Sequence, residues 1–480
     1  MRIIGNDPSV PRQTHEVASG TLTNGKPVVV NADGTVSVVT GSDASVGSDV
    51  VFASASTNQI KAAFDSSNNK VVIAYRDAGN SNVGTAIVGT ISGSSISFGS
   101  EAVFTSNTVS EVNIVFDSDS NKVVISYKDN SNSDYGTAVV GTVSGTSISF
   151  GTPAVFESAH STQMSSTFDS NSNKAVIVYN DVGNSNAGTA IVGTVSGTSI
   201  SFGTAAVFES GNTELTSATF DSNSNKVVIA YKDVDDSGKG KAVVGTVSGT
   251  SISFGSLTTF ESSTTVNLTT ITFDSSNNKV VIVIRGSSDV GKAYVGTVSG
   301  TSISFGSAVD FTSGSNDNRL AAAVFDTSVN KVVIAFVNSN TSISGISGTV
   351  SGTSISFDDI TTVKTGNNLD NITAAFDSNA NKVLIGYRDV NSSNHGTVNI
   401  FTPESTNLTS ENYIGISRNG AADTKGAIID TQGAIADNLS GLTAGQSYYV
   451  QTNGTLGTTA ADPSVFAGTA VSATKLIVKG

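Results

Sequence analysis

Four short runs in this 480-residue chain set an aromatic ring, a cation and a carboxylate side by side: Tyr75-Arg76-Asp77, Tyr127-Lys128-Asp129, Tyr231-Lys232-Asp233 and Tyr387-Arg388-Asp389. A ring to stack against, a donor and an acceptor are the groups that hold a sugar, so these twelve residues are the candidate ligand-binding set. The same triplets fit a plainer role as packing between sheets with surface ion pairs of about 0–1 kcal/mol each. Related positions break the pattern at Tyr179-Asn180-Asp181, Ile284-Arg285-Gly286 and Phe336-Val337-Asn338, which argues against seven equal sites.

Other chemistry has less to stand on. The three histidines, His15, His160 and His395, share no repeated partner, so no acid–base group recurs and no catalytic residue is assigned. The turns Asp117-Ser118-Asp119-Ser120-Asn121 and Asp169-Ser170-Asn171-Ser172-Asn173 space oxygens like a Ca²⁺ loop. They lack the glycine and distal glutamate that complete one, and a hairpin turn is the reading taken, with no metal and no cofactor.

The triplets end a stretch that recurs seven times, with its phenylalanine at Phe64, Phe116, Phe168, Phe220, Phe273, Phe325 and Phe376, in steps of 52, 52, 52, 53, 52 and 51 residues. So regular a period marks one supersecondary unit stacked on copies of itself. Within residues 212–261 the unit reads as four strands: a small-residue segment ending at Phe220, the continuously apolar residues 226–231, residues 242–247, and the alternating Ser251-Ile252-Ser253-Phe254. The Asp-Ser-Asn-Ser-Asn and Ser-Gly-Thr stretches between them are turn sequences.

Seven four-stranded antiparallel meanders resemble a seven-bladed β-propeller. The seventh copy stops after its third strand, and the missing outer strand matches residues 45–52 near the start of the chain. The expected fold is therefore all-β, a seven-bladed β-propeller over residues 41–402 closed by an N-terminal outer strand, with small first segments lining its channel. Residues 1–40 and 403–480 contain matching hairpins, at Asp33-Gly34 and Asn453-Gly454, and are expected to form one small β domain.

Gly, Ser, Thr, Asn and Val dominate, cysteine and tryptophan are absent, and the net charge of −14 excludes a phosphate-backbone partner. Residues 1–8 have no apolar run for a signal peptide, and no stretch is long enough to span a membrane, so synthesis in a cytoplasm is expected.

The segment Ser440-Gly441-Leu442-Thr443-Ala444-Gly445-Gln446-Ser447-Tyr448-Tyr449-Val450, with Asn453-Gly454-Thr455-Leu456 and residues 467–478, resembles a small β module of tail-fibre and other virion proteins of tailed bacteriophages, marine ones in particular. Residues 25–36 are similar to a stretch that accompanies it. The resemblance implies a virion structural or adhesive role, in several copies per particle, with other virion proteins as partners through the terminal domain. Host-surface glycans are the alternative target, on the side bearing the strand-two-to-three loops, which differ from copy to copy at 130–135, 233–239, 338–343 and 391–395. A glycan hydrolase is the third reading. Sialidase-type propellers carry Asp-box turns ending in an aromatic and a channel arginine cluster, and the expected channel here offers mainly Ala, Ser and Thr.

Overall fold

A computed structural model describes residues 12–287, 289–312, 321–338, 341–366, 369–461 and 463–479. Residues 1–8, on which the signal-peptide expectation rests, and part of the loop at 338–343 lie outside them. The chain divides into two compact units, Ser45–Pro403 and a second made of residues 1–44 with 404–480.

Each repeat of the larger unit is built on its most apolar segment. Val227, Val228, Ile229, Ala230 and Tyr231 are all fully buried in succession, as are Val71 to Tyr75 and Ala175 to Tyr179. Consecutive burial requires cover on both faces of a strand, and neighbouring sheets provide it. In repeat three this strand, Lys174–Asp181, pairs antiparallel with residues 161–169 on one side and with Ala187–Ser196 on the other, which in turn pairs with Ser199–Phe202.

The first strand is longer than its sequence suggests. Ala154–Asp169 is one 16-residue strand whose early residues pair with the third strand of repeat two before the remainder opens repeat three. Val50–Asp65, Ala102–Asp117 and Ala206–Asp221 do the same, whereas the crossings before repeats five, six and seven are broken into two strands. A register shift follows shortly after the change of sheet, within the pairing to the second strand, with Gln59, Glu111, Gln163 and Leu215 at positive φ in it. Some of these residues link one repeat to the next. The Glu111 carboxylate accepts from the Gln163 amide at 3.1 Å, and the Gln163 side-chain carbonyl accepts from the Leu215 amide at 3.3 Å.

The seventh sheet combines both ends of the unit. Its third strand, His395–Thr402, pairs with Ser45–Val46 through Phe401 and Thr402, and with the start of Val50–Asp65 through residues 395–398. First strands pack in order from repeat one to repeat seven, and that of repeat seven packs on that of repeat one.

One glycine per repeat fixes how the outer edges meet. Gly99, Gly151, Gly203, Gly255 and Gly306 each follow the outer strand, and a Cβ on any of them would lie 1.8–1.9 Å from the carbonyl oxygen of Thr146, Thr198, Thr250, Thr301 or Thr353 in the next repeat's turn. Gly47 stands in the same relation to Ser94. In repeat six the place is taken by Asp358, whose amide makes the equivalent bond, to Ser347. The next sheet is the seventh, where Thr402 and Ser45 meet as separate chain segments and no turn projects. A side chain is tolerated only there, and Asp358 uses the space to bind Lys331 at 2.8 Å.

The turns between first and second strands are alike in all seven repeats. Asp117 accepts from the amides of Asp119 and Ser120, and Asp169 from those of Asn171 and Ser172. The residue before the lysine adopts a left-handed conformation, as at Asn121 and Asn173. In both Ca²⁺-like turns the leading carboxylate is thus engaged with its own backbone.

Among the described residues the smaller unit holds two five-stranded sheets and a two-stranded pairing of Gly41–Ser42 with Ser405–Thr406. One runs Gln13–Val17, Gly426–Asp430, Tyr413–Ser417, Pro27–Val30 and Val36–Val38; the other runs Ile435–Ala436, Lys475–Val478, Val465–Ser472, Ser447–Val450 and Leu456–Gly457. The two matching hairpins fall in different sheets, and Val29, Tyr413, Tyr448, Val450 and Leu476 share one core between them. Their turns are the same: Asp33 and Asn453 accept from the amide and hydroxyl of Thr35 and Thr455.

Candidate functional site

The ring–cation–carboxylate triplets come apart in three dimensions because alternate residues of a strand face opposite ways. Tyr75, Tyr127, Tyr231 and Tyr387 are completely buried, and Asp77, Asp129, Asp233 and Asp389 are nearly so. No sugar can reach these rings. Each tyrosine packs in its core, as Phe156 does on Tyr179 with centroids 5.4 Å apart. The hydroxyl groups of Tyr75, Tyr179, Tyr231 and Tyr294 donate to Glu101, Glu157, Glu209 and Glu261. Burial, and then the neighbouring carboxylate, push these phenols above the ordinary tyrosine range.

The aspartates hold loops. Asp77, Asp129, Asp181, Asp233 and Asp389 each accept from a backbone amide two or three residues on, fixing the start of the strand-two-to-three loop. The same frame therefore carries unlike loops in these five repeats, whereas repeats five and six have Gly286 and Asn338 at the aspartate position.

The middle residues, Arg76, Lys128, Lys232 and Arg388, are half-buried and lie against the first strand. Lys232 binds Glu214 at 2.8 Å, and Arg388 pairs with Asp370. Lys128 reaches His160 at 3.4 Å and Asp134 at 3.9 Å. His160 is thus tied into this packing, while His15 and His395 fall in different units.

In repeat three the middle residue is Asn180, and its shorter side chain leaves a cavity of about 270 Å³ lined by Thr162, Gln163, Asn180, Asn186, Asn212, Thr213 and Glu214. Asn180 is buried and closes the floor: its amide nitrogen donates to the carbonyls of Asn186 and Thr213 at 2.8 and 2.6 Å, and its oxygen accepts from Thr162. This departure from the triplet pattern was visible in the sequence; that it opens a cavity was not.

A second concavity of about 300 Å³ forms where the first strands converge, with Ile60, Lys61, Glu111, Val112, Met164 and Leu268 among its walls. Its lining is larger than the expected Ala, Ser and Thr, and mixes aliphatic side chains with the amides of Gln59, Gln163, Asn267 and Asn371 and the charges of Lys61 and Glu111. Small residues instead let neighbouring first strands approach, as where Ala218 donates to the Ser165 hydroxyl and Ala62 to that of Thr373. Burial lowers the Lys61 ammonium below the usual lysine range, and Glu111 opposes the shift without prevailing. A group whose folded pKa is lowered in this way destabilises the fold while protonated, and the penalty fades as pH rises toward the ordinary lysine value. The double variant Lys61→Met/Glu111→Gln, which keeps an acceptor for Gln163, is expected to be the more stable at pH 7, with the advantage shrinking at alkaline pH. Denaturant midpoints at both pH values measure this, and no gain at pH 7 would show that the pair is already compensated.

Among the described residues no group of three or more His, Cys, Asp or Glu is placed to hold a metal ion.

No protein-family model matches the chain, and no curated protein matches it. Among solved structures it is similar to the BP39L lectin of Burkholderia pseudomallei, at 9% identity and a TM-score of 0.54, over 74% of this chain and 99% of that one. The β-propeller domain of Cps50 (Swd1) from Myceliophteria thermophila gives a TM-score of 0.48 at 7% identity, over 74% and 99%. At 9% identity the likeness to the lectin is one of fold alone.

Proposed function

We propose that the seven sheets close into a seven-bladed β-propeller and that the protein is a non-enzymatic recognition component of a tailed-bacteriophage particle, present in several copies. The packing of first strands from repeat one through seven and back to one supports closure. So does the seventh sheet, completed by Ser45–Val46 from the other end of the unit. A closed ring leaves fewer sheet edges than an open array.

The observation that carries recognition is the contrast between a uniform frame and unlike loops. Buried Asp side chains hold the strand-two-to-three loops in the same way in five repeats, while the residues those loops present differ. Host-surface glycans are the proposed target. The likeness of the terminal sequence to phage virion modules supports attachment of the smaller unit to other virion proteins.

Two measurements test this. Deleting residues 404–480 is expected to abolish incorporation into particles, and normal incorporation would remove the attachment role. The full chain is expected to give signals on a glycan array sensitive to millimolar affinities; silence across the array would remove the glycan role.

A further inference from the structure

We propose that the cavity between repeats three and four binds a single neutral sugar residue, with Asn186, Asn212 and Glu214 as its recognition groups. The inference rests on the glycan reading above and assigns it a place.

Repeat two supplies the internal comparison. Lys128, His160 and Asp134 occupy the repeat positions of Asn180, Asn212 and Asn186, 52 residues earlier in each case. There the lysine chain runs across to His160 and Asp134 and fills the space. In repeat four, Lys232 lies against Gly238, a Cβ on which would sit 3.3 Å from the lysine Cε. Only repeat three combines a short side chain at this position with amides at both of the others.

The lining decides the ligand class. It is almost wholly polar, so an apolar ligand gains nothing by entering. The one carboxylate, Glu214, is already paired with Lys232 at 2.8 Å, which leaves little net charge to draw an ion. The side-chain amides of Asn186 and Asn212 make no hydrogen bond within the described chain, and each can both donate and accept. Paired donor–acceptor amides match the vicinal hydroxyls of a pyranose, each of which also donates and accepts. At about 270 Å³ the space lies just under the ~300–1,000 Å³ of small-molecule pockets, fitting one ring. No aromatic side chain lines it, so affinity is expected in the millimolar range.

Saturation-transfer NMR on the full chain, with the methyl glycosides of glucose, galactose, mannose and N-acetylglucosamine as probes, is the test. At least one probe should bind with a stoichiometry of one. Asn180→Lys, which copies repeat two, should weaken it at least tenfold. Asn212→Ala, which leaves the Asn180 bonds untouched, should do the same with an unchanged melting temperature. If a probe or an array glycan binds and both variants bind it equally well, the cavity is not the site and the glycan reading stands. If nothing binds in either format, the glycan reading itself fails.

Discussion

Gly203→Ala is expected to destabilise the larger unit by about 3 kcal/mol, the upper end of overpacking penalties. The new Cβ would lie 1.8 Å from the Thr250 carbonyl oxygen, which belongs to a backbone turn of the next repeat. Neither group can swing aside, so the two outer edges must separate. Two controls isolate that contact. Gly197, in a turn at φ 63° with nothing near its absent Cβ, should cost only the left-handed penalty of about 1 kcal/mol when changed to Ala. Asp358→Ala, at the repeat position of Gly203 where no turn faces it, should lose only an ion pair and its hydrogen bonds, about 1 kcal/mol. Urea midpoints for the three variants suffice; equal losses from Gly203→Ala and Gly197→Ala would mean that the edges do not touch.

The tyrosine series is the second large effect. Tyr179→Ala should cost about 3–5 kcal/mol, because it removes a fully buried ring stacked on Phe156 and leaves a cavity. Tyr179→Phe separates the hydroxyl from the ring. It takes the donor from Glu157, bonded at 3.0 Å, and should cost about 1.5–3 kcal/mol. In repeat two the residue after the stacking phenylalanine is Thr105 rather than glutamate, and Tyr127 faces no carboxylate there. Tyr127→Phe should therefore change stability by less than about 0.5 kcal/mol. Thermal or urea unfolding distinguishes these cases, and equal losses from the two Phe variants would place the energy in ring packing alone.

These residues also show what the sequence could and could not convey. The second strands were legible because five consecutive apolar residues admit little but a strand covered on both faces. The completion of the seventh sheet by residues 45–46 was legible because a strand missing at one end of the chain was present at the other. The triplets misled because a tyrosine followed by two charges reads as the exit of a strand into solvent. In the structure the strand runs on through the aspartate, Lys226–Asp233 for example, so alternation buries the ring and turns only the middle residue aside. The 16-residue crossing strands were hidden for a similar reason: the Ser, Asn and Thr residues at the change of sheet read as a loop. The glycine contacts had one trace in the sequence, the lone Asp358 in a column of glycines, and its meaning depends on knowing that the chain is interrupted beside it.

The crossing strands put the repeat of the sequence out of phase with the hydrogen-bonded sheet. A 52-residue segment cut anywhere but at the change of sheet carries the tail of one sheet and the head of the next. Duplicating or losing such a segment by recombination rejoins complementary halves and interrupts no ladder. Copy number can then change in a single genetic event, and a loop such as the one beside Asn180 can diverge in one copy while the other copies continue to hold the frame.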